Sequence, residues 1–270
     1  MRLWSLGSGS SGNAVLIECD DSRILIDCGF GVRELARRLK SIGVAPQSIT
    51  ACFITHEHGD HVRGAAAAAR RWQWTIHATH GTARARELSK TLVAAFHPGA
   101  EIALPRMTVS SIATPHDASQ SVGFVVTSRD TGARAGLFYD FGYPSRAILD
   151  ACKSLDILVL ESNHDADMLR NGPYPIWLQR RIAGKTGHLS NHDAARFARY
   201  AATRQINHIV LAHLSENCNT PAVALDSMRR ALARTVFRGT ITAAKQDDVV
   251  GPFSPRCDRA GDPVQYSLFA

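Results

Sequence analysis

Apolar runs along this chain are short and are broken by glycine, proline and polar residues at regular intervals. Residues 2–6, 14–18, 23–26 and 51–54 are almost continuously apolar, which is the pattern of strands covered on both faces. Helical spacing marks 31–41, the Ala-rich stretch 62–72 and 82–90, with a short strand at 74–77 between the last two. Residues 101–113 carry β character, and 121–127, 135–139, 156–160, 207–211 and 238–244 read as further strands. Helices are expected over 147–153, 176–183, 193–203 and 220–234, the second preceded by an irregular insert containing Gly172-Pro173-Tyr174-Pro175. Both halves of the chain therefore run through strands and then helices. That order suits an α/β architecture of four layers, αββα, in which two mixed β-sheets pack face to face with helices outside. No Gly/Ser/Pro-rich linker divides the sequence, so residues 1–250 are expected to form a single domain and 251–270 a tail.

One strand-to-helix turn carries a dense chemical pattern, Thr55-His56-Glu57-His58-Gly59-Asp60-His61. His56 and His58 are two residues apart and share a side in extended backbone. Asp60, near the start of the following helix, is a candidate cap, and with His61 it lies beyond a Gly bend and can turn toward a second point. Unbound imidazoles crowded this closely would repel when protonated and gain nothing when neutral. The spacing suits two metal ions better than one. His77, His80, His97 and His208 show no such pattern and read as surface or core histidines.

The string His56-x-His58-x-Asp60-His61 resembles the signature of the metallo-β-lactamase fold superfamily of binuclear metallohydrolases. That resemblance implies the four-layer fold above and a ligand set drawn from strand ends. His116, in Thr114-Pro115-His116-Asp117, stands where such families place the third histidine of the first metal. Asp140 follows a buried strand and precedes Phe141-Gly142; as a turn residue it would be ordinary, but as a carboxylate it can give one oxygen to each of two ions about 3.5–4 Å apart. His213, in Ala212-His213-Leu214-Ser215, is the expected last ligand. The implied set is His56, His58 and His116 for one ion, Asp60, His61 and His213 for the other, and Asp140 between them. Asp27 occupies the place of an acidic residue that orients the site from behind, although it also reads as a strand-end cap for the helix at 31–41. Gly187-His188-Leu189-Ser190-Asn191 resembles the Gly-His-Ser-Thr segment of the ribonuclease Z branch, whose histidine serves the scissile phosphate; Leu189 stands where that branch has Ser. His188, with Asp60, is the expected catalytic residue, and His164 is a secondary candidate near substrate.

Imidazole and carboxylate donors suit zinc, manganese or iron, so the expected cofactor is a pair of divalent metal ions. Such a pair turns a bridging water into hydroxide at neutral pH and neutralises the oxyanion that its attack produces. The Gly7-Ser8-Gly9-Ser10-Ser11-Gly12-Asn13 loop lacks the Lys-Ser/Thr ending of a phosphate-binding loop, so no nucleotide cofactor is expected; a hairpin beside the site is the preferred reading. The blocks Gly-Ser-Gly-Ser-Ser-Gly-Asn, Glu-Ser-Asn-His-Asp and Gly-His-Leu-Ser-Asn look like the YycJ/WalJ-like nuclease group, which implies 5′-to-3′ exonuclease action on DNA. Neither an inserted β-CASP domain nor the long arm of ribonuclease Z is visible.

Charge changes the picture modestly. The chain carries a formal +7, concentrated in clusters such as Arg33, Arg37 and Arg38, and Arg180, Arg181 and Lys185. A basic surface concentrates polyanions, although Arg-rich helices arise from composition as well. The expected partner is a nucleic acid, with DNA preferred. No run approaches the roughly 20 apolar residues of a membrane span, the N-terminus does not read as a signal peptide, and the cysteines lack C-x-x-C spacing, which together suggest a cytoplasmic protein. Two other readings stay open: a small-molecule hydrolase of the same fold acting on a thioester, lactone or cyclic nucleotide, and a non-catalytic nucleic-acid-binding module with a structural metal.

Overall fold

The computed structural model describes residues 1–256. The first half contributes β1 (Arg2–Gly7), β2 (Ala14–Cys19), β3 (Ser22–Ile26), α1 (Val32–Ser41), β4 (Ile49–Phe53), α2 (Gly59–Val62), α3 (Ala65–Trp72), β5 (Thr75–Thr79) and β6 (Val93–Phe96). Then come β7 (Glu101–Ala103), β8 (Met107–Ala113), β9 (Val122–Ser128), β10 (Arg134–Phe138), α4 (Arg146–Ala151), β11 (Ile157–Glu161), α5 (Ala166–Arg170), α6 (Ile176–Ile182), α7 (Asn191–Ala201), β12 (His208–Ala212), α8 (Pro221–Leu232), β13 (Thr240–Ala243) and β14 (Val250–Phe253). Two seven-stranded sheets result, ordered β14-β1-β2-β3-β4-β5-β6 and β13-β12-β11-β10-β9-β8-β7. Both are mixed: β3 to β6 and β10 to β13 run parallel, and the rest pair antiparallel.

The continuous apolar runs are explained by what covers each face. Val15 and Ile17 on β2 meet Phe124 and Val126 on β9 in a core between the sheets. The alternate residues face outward: Leu16 and Leu25 pack under α1 and α3, and Val125 and Leu158 under α4, α7 and α8. Period-two alternation thus persists, but both sets are apolar because both faces are dry. The four-layer αββα sandwich is the fold of this chain.

Local expectations fail where packing overrides sequence. Residues 82–90 form only a 3₁₀ turn, Thr82–Arg84, followed by turns. Apart from Thr82 and Leu88 the segment buries nothing, so no apolar face holds a helix too short to stand alone. Residues 101–113 break into the β7–β8 hairpin at Leu104-Pro105-Arg106, where Leu104 N–H donates to Met107 O. Edge strand β6 escapes the sequence reading altogether, as does α5, which Asp165 caps through the backbone amides of Asp167 and Met168. Residues 251–253, assigned to the tail, instead complete β14 beside β1; an edge strand tolerates Pro252 as a central one would not. The tail expectation for 257–270 lies outside the described residues. The five described cysteines, Cys19, Cys28, Cys52, Cys152 and Cys218, are buried free thiols. Among the described residues no helix is long and apolar enough to cross a membrane.

Six strands, β3, β4, β8, β10, β11 and β12, end at one rim of the sandwich, and their ends supply the candidate chemistry. Ligands collect at the carboxyl ends of parallel strands because the chain must turn there and expose side chains and backbone.

Candidate active site

The His-x-His-x-Asp-His loop leaves β4 and enters α2. Its position depends on two close backbone approaches. A Cβ on Gly29 would stand 1.8 Å from Asp60 O, and one on Gly64 would stand 1.9 Å from Phe30 O. The loop is therefore clamped against the β3–α1 connection, with Cys28 N–H donating to His61 O and Asn13 N–H to Asp60 O. Asp60 does not cap the helix. His58 holds the N-cap position without a side-chain bond, and the Asp60 carboxylate lies in the first turn, 3.3 Å from both His61 Nε2 and His213 Nε2.

Asp27 organises the loop from behind. It is fully buried and accepts from Thr55 N–H at 2.8 Å, Thr55 Oγ1 at 2.9 Å, Tyr139 OH at 2.9 Å and His61 Nδ1 at 2.7 Å. Its helix-capping reading fails: α1 begins after Gly31 with no side-chain cap. Thr55 Oγ1 also lies 3.0 Å from His56 Nδ1, so one carboxylate orients two imidazoles. With their Nδ1–H groups so engaged, His56 and His61 present Nε2 lone pairs inward. His116 is oriented the same way by Gly187 O, 3.2 Å from its Nδ1.

Three residues that follow strands, Asp27, Asp140 and His213, have φ of 60°, 56° and 54°. This left-handed backbone is costly for residues with a Cβ and recurs where a site dictates side-chain direction. It turns Asp140 and His213 into the cluster: Asp140 Oδ2 comes within 3.1 Å of His61 Nε2, and Oδ1 within 3.0 Å of His213 Nδ1.

The structure brings His56, His58, Asp60, His61, His116, Asp140, His188 and His213 together. Their donor atoms fall into overlapping groups within 4.8 Å: His56, His58 and His116; His56, His61 and Asp140; Asp60, His61 and His213; and Asp140, Glu161, His188 and His213. His164 joins none of them. It is buried, its backbone bridges to Ser190, and its Nδ1 has no hydrogen-bond partner among the described residues.

Four further residues belong to the site and were not singled out in the sequence. Glu161, the last residue of β11, is fully buried and accepts from His188 Nδ1 at 2.7 Å, from the backbone amides of Phe141 and Leu189, and lies 3.2 Å from His213 Nδ1. A carboxylate closing an apolar strand was the available signal. Asn13, from the Gly/Ser loop, reaches Asp60 Oδ2 at 3.3 Å, while Ser8 Oγ accepts from His213 N–H at 2.8 Å; the hairpin does lie beside the site. Asp117 stands 3.3 Å from His116 Nε2 and is held by Arg181 at 2.6 Å.

Electrostatics show what the cluster lacks. Burial alone would raise the Asp60 and Asp140 carboxyls, but neighbouring imidazoles outweigh it and hold both far below the carboxylate range. Glu161 is likewise drawn down, against burial, to about 2, chiefly by His188. Burial pushes His188 and His213 down, yet the carboxylates lift them to about 10 and about 9. Burial and the surrounding imidazoles instead lower His56. Two buried atoms, His56 Nε2 and Asp140 Oδ2, have no hydrogen-bond partner among the described residues, the latter despite its proximity to His61. His116 Nε2 and His58 Nδ1 face each other at 3.2 Å. Converging lone pairs and orphaned acceptors are satisfied by a cation, so these residues fit divalent metal ions.

Fold and site together define the class: the chain belongs to the metallo-β-lactamase superfamily, and the Beta-lactamase superfamily domain matches residues 22–214. It is a hydrolase of that superfamily. Among curated proteins it is 30% identical over 237 residues to the exodeoxyribonuclease YycJ of Bacillus anthracis, covering 86% of this chain and 89% of that one. It is 31% identical over 236 residues to the exodeoxyribonuclease WalJ of Streptococcus pneumoniae, covering 85% and 87%. The solved structure of the metallo-β-lactamase fold protein YhfI from Bacillus subtilis overlays with a TM-score of 0.69 across 93% of this chain and 99% of that one; at 20% identity this speaks to fold alone.

Proposed function

We propose that this hydrolase is a binuclear metal-dependent phosphodiesterase that degrades DNA from a 5′ end. The observation that carries the reading is the overlap of the donor groups at Asp140, which stands in one group with His56 and His61 and in another with His213. His56, His58 and His116 would hold one ion, Asp60, His61 and His213 the other, and Asp140 would join them. When bound, such a pair supplies an activated water and neutralises charge developing on a phosphoryl oxygen. The substrate class is argued from the full-length likeness to two exodeoxyribonucleases.

The protein's own groups do the rest. Asp27 fixes His61 directly and His56 through Thr55. Glu161 ties His188 to His213, keeping the His188 imidazole charged. No hydrogen bond among the described residues engages His188 Nε2, and its side chain is 21% exposed. Nε2–H is thus free to donate to a leaving oxygen, as a general acid must. Glu161→Gln keeps the shape but weakens this hold; activity should fall about 10- to 100-fold, the usual loss for a residue supporting a metal ligand. Steady-state turnover with metal content measured in parallel checks this, and an unchanged rate would remove Glu161 from the machinery.

Incubating 5′-labelled single- and double-stranded DNA and RNA with the Zn, Mn and Fe forms tests the whole reading. DNA loss from the 5′ end, falling steeply as salt rises because phosphate contacts release counterions, is expected. Salt-independent hydrolysis of a thioester or lactone with intact DNA would instead make it a small-molecule hydrolase.

A further inference from the structure

Helix α6 is unusual in burying none of its residues. Its N-terminal end carries Ile176 and Trp177, each 67% exposed. From Asn171 to Gly187 the sequence contains no acidic residue and three cations, Arg180, Arg181 and Lys185. Arg181 is spent on Asp117, but neither Arg180 nor Lys185 has a carboxylate within ion-pair distance among the described residues.

The helix is nevertheless fastened to the catalytic rim at its C-terminal end. His188 N–H donates to Ile182 O and Asp117 N–H to Thr186 O, both in the segment that also carries Gly187 O to His116. Trp177 and Arg181 are four apart and share a helix face, about 6 Å apart along the axis. Arg181 contacts Asp117, which contacts His116, so the indole stands within a few nucleotides' reach of the proposed metal centre. An exposed indole beside unpaired cations and next to a phosphodiester-cleaving site has the composition of a base-stacking platform.

We infer that α6 binds the single strand of the substrate, with Trp177 stacking on a base and Arg180 and Lys185 meeting the flanking phosphates. This rests on the nuclease reading above. Complementarity of charge favours a polyanion over a second copy of this +7 chain.

The test uses intrinsic fluorescence. Of the four tryptophans, Trp4, Trp72 and Trp74 are buried at 5–7% exposure, so emission changes on binding report Trp177. The metal-loaded protein is titrated with a single-stranded oligothymidylate carrying nuclease-resistant linkages. Quenching should occur in the wild type. Trp177→Ala should weaken binding and raise KM for DNA about tenfold, in line with the loss of one stacked base. Trp177→Phe should retain most of the affinity, and kcat on bis(p-nitrophenyl) phosphate should not change in either. Arg180→Ala with Lys185→Ala should lower the salt slope by about 1.4, two phosphate contacts at about 0.7 each on a single strand. Unquenched emission, with KM for Trp177→Ala within twofold of wild type, overturns the inference. So does a Trp177→Ala variant that only abolishes self-association in sedimentation, which would make the helix an interface between copies. A wild type that cleaves no nucleic acid sinks the nuclease reading too, whereas a nuclease indifferent to Trp177 sinks this inference alone.

Discussion

Replacing Asp140 with Asn should reduce turnover at least about 10³-fold while leaving the fold intact. The magnitude follows from position: Asp140 contacts both halves of the cluster, 3.1 Å from His61 and 3.0 Å from His213, so its charge serves both candidate metal positions. Loss of one oxyanion donor costs 10²–10³-fold in other enzymes, and loss of a group shared by two cations should exceed that. Asn is the informative replacement. It matches Asp in volume and, unlike most residues, tolerates the left-handed backbone found here at φ 56°. Ala would confound chemistry with strain. Turnover, metal content by mass spectrometry and circular dichroism on one preparation separate the effects: low rate, lowered metal content and a native spectrum are expected. A rate near wild type would remove Asp140 from the centre.

Stripping the metals with a chelator should lower the melting temperature by on the order of 10 °C. A ligand present at a thousandfold over its Kd stabilises by about 4 kcal/mol, and for a chain of this size each kcal/mol shifts the midpoint by roughly 2–4 °C. The expectation has a pH signature. In the metal-free protein, protons on the proposed ligands His61 and His213 stand in for the cations, because the surrounding carboxylates raise both despite burial. A raised folded-state pKa contributes stability that is complete below the unfolded value near 6.5 and is lost as pH rises through the folded value, about 9 for His213. The gap between metal-loaded and stripped protein should therefore widen between pH 7 and 9. Scanning calorimetry at both pH values checks it, and identical midpoints with and without chelator would contradict a metal-dependent core.

What was legible in the sequence was what is local. His56, His58, Asp60 and His61 share one turn, and Asp140 and His213 each follow an apolar strand, so a carboxylate or imidazole there stands out. The supporting groups were less visible. Glu161 also ends an apolar strand, but its partners His188 and His213 come 27 and 52 residues later; the parallel β11–β12 pairing brings His213 close, and Asn163 N–H donating to Leu189 O brings the His188 segment back. Asn13 looked like a loop residue because its partner Asp60 lies 47 residues away. The assignment of Asp60 as a cap failed because two histidines compete for its carboxylate. Helix 82–90 and the tail at 251–253 failed for tertiary reasons: the first has nothing to pack on, and the second finds an open edge at β1.

Every role assigned above depends on two cations at this rim. Anomalous diffraction from crystals grown with zinc or manganese tests it most directly. Two peaks are expected, one among His56, His58 and His116, the other among Asp60, His61 and His213, with Asp140 touching both. A single peak enclosed by four side chains, or none at this rim, would contradict it.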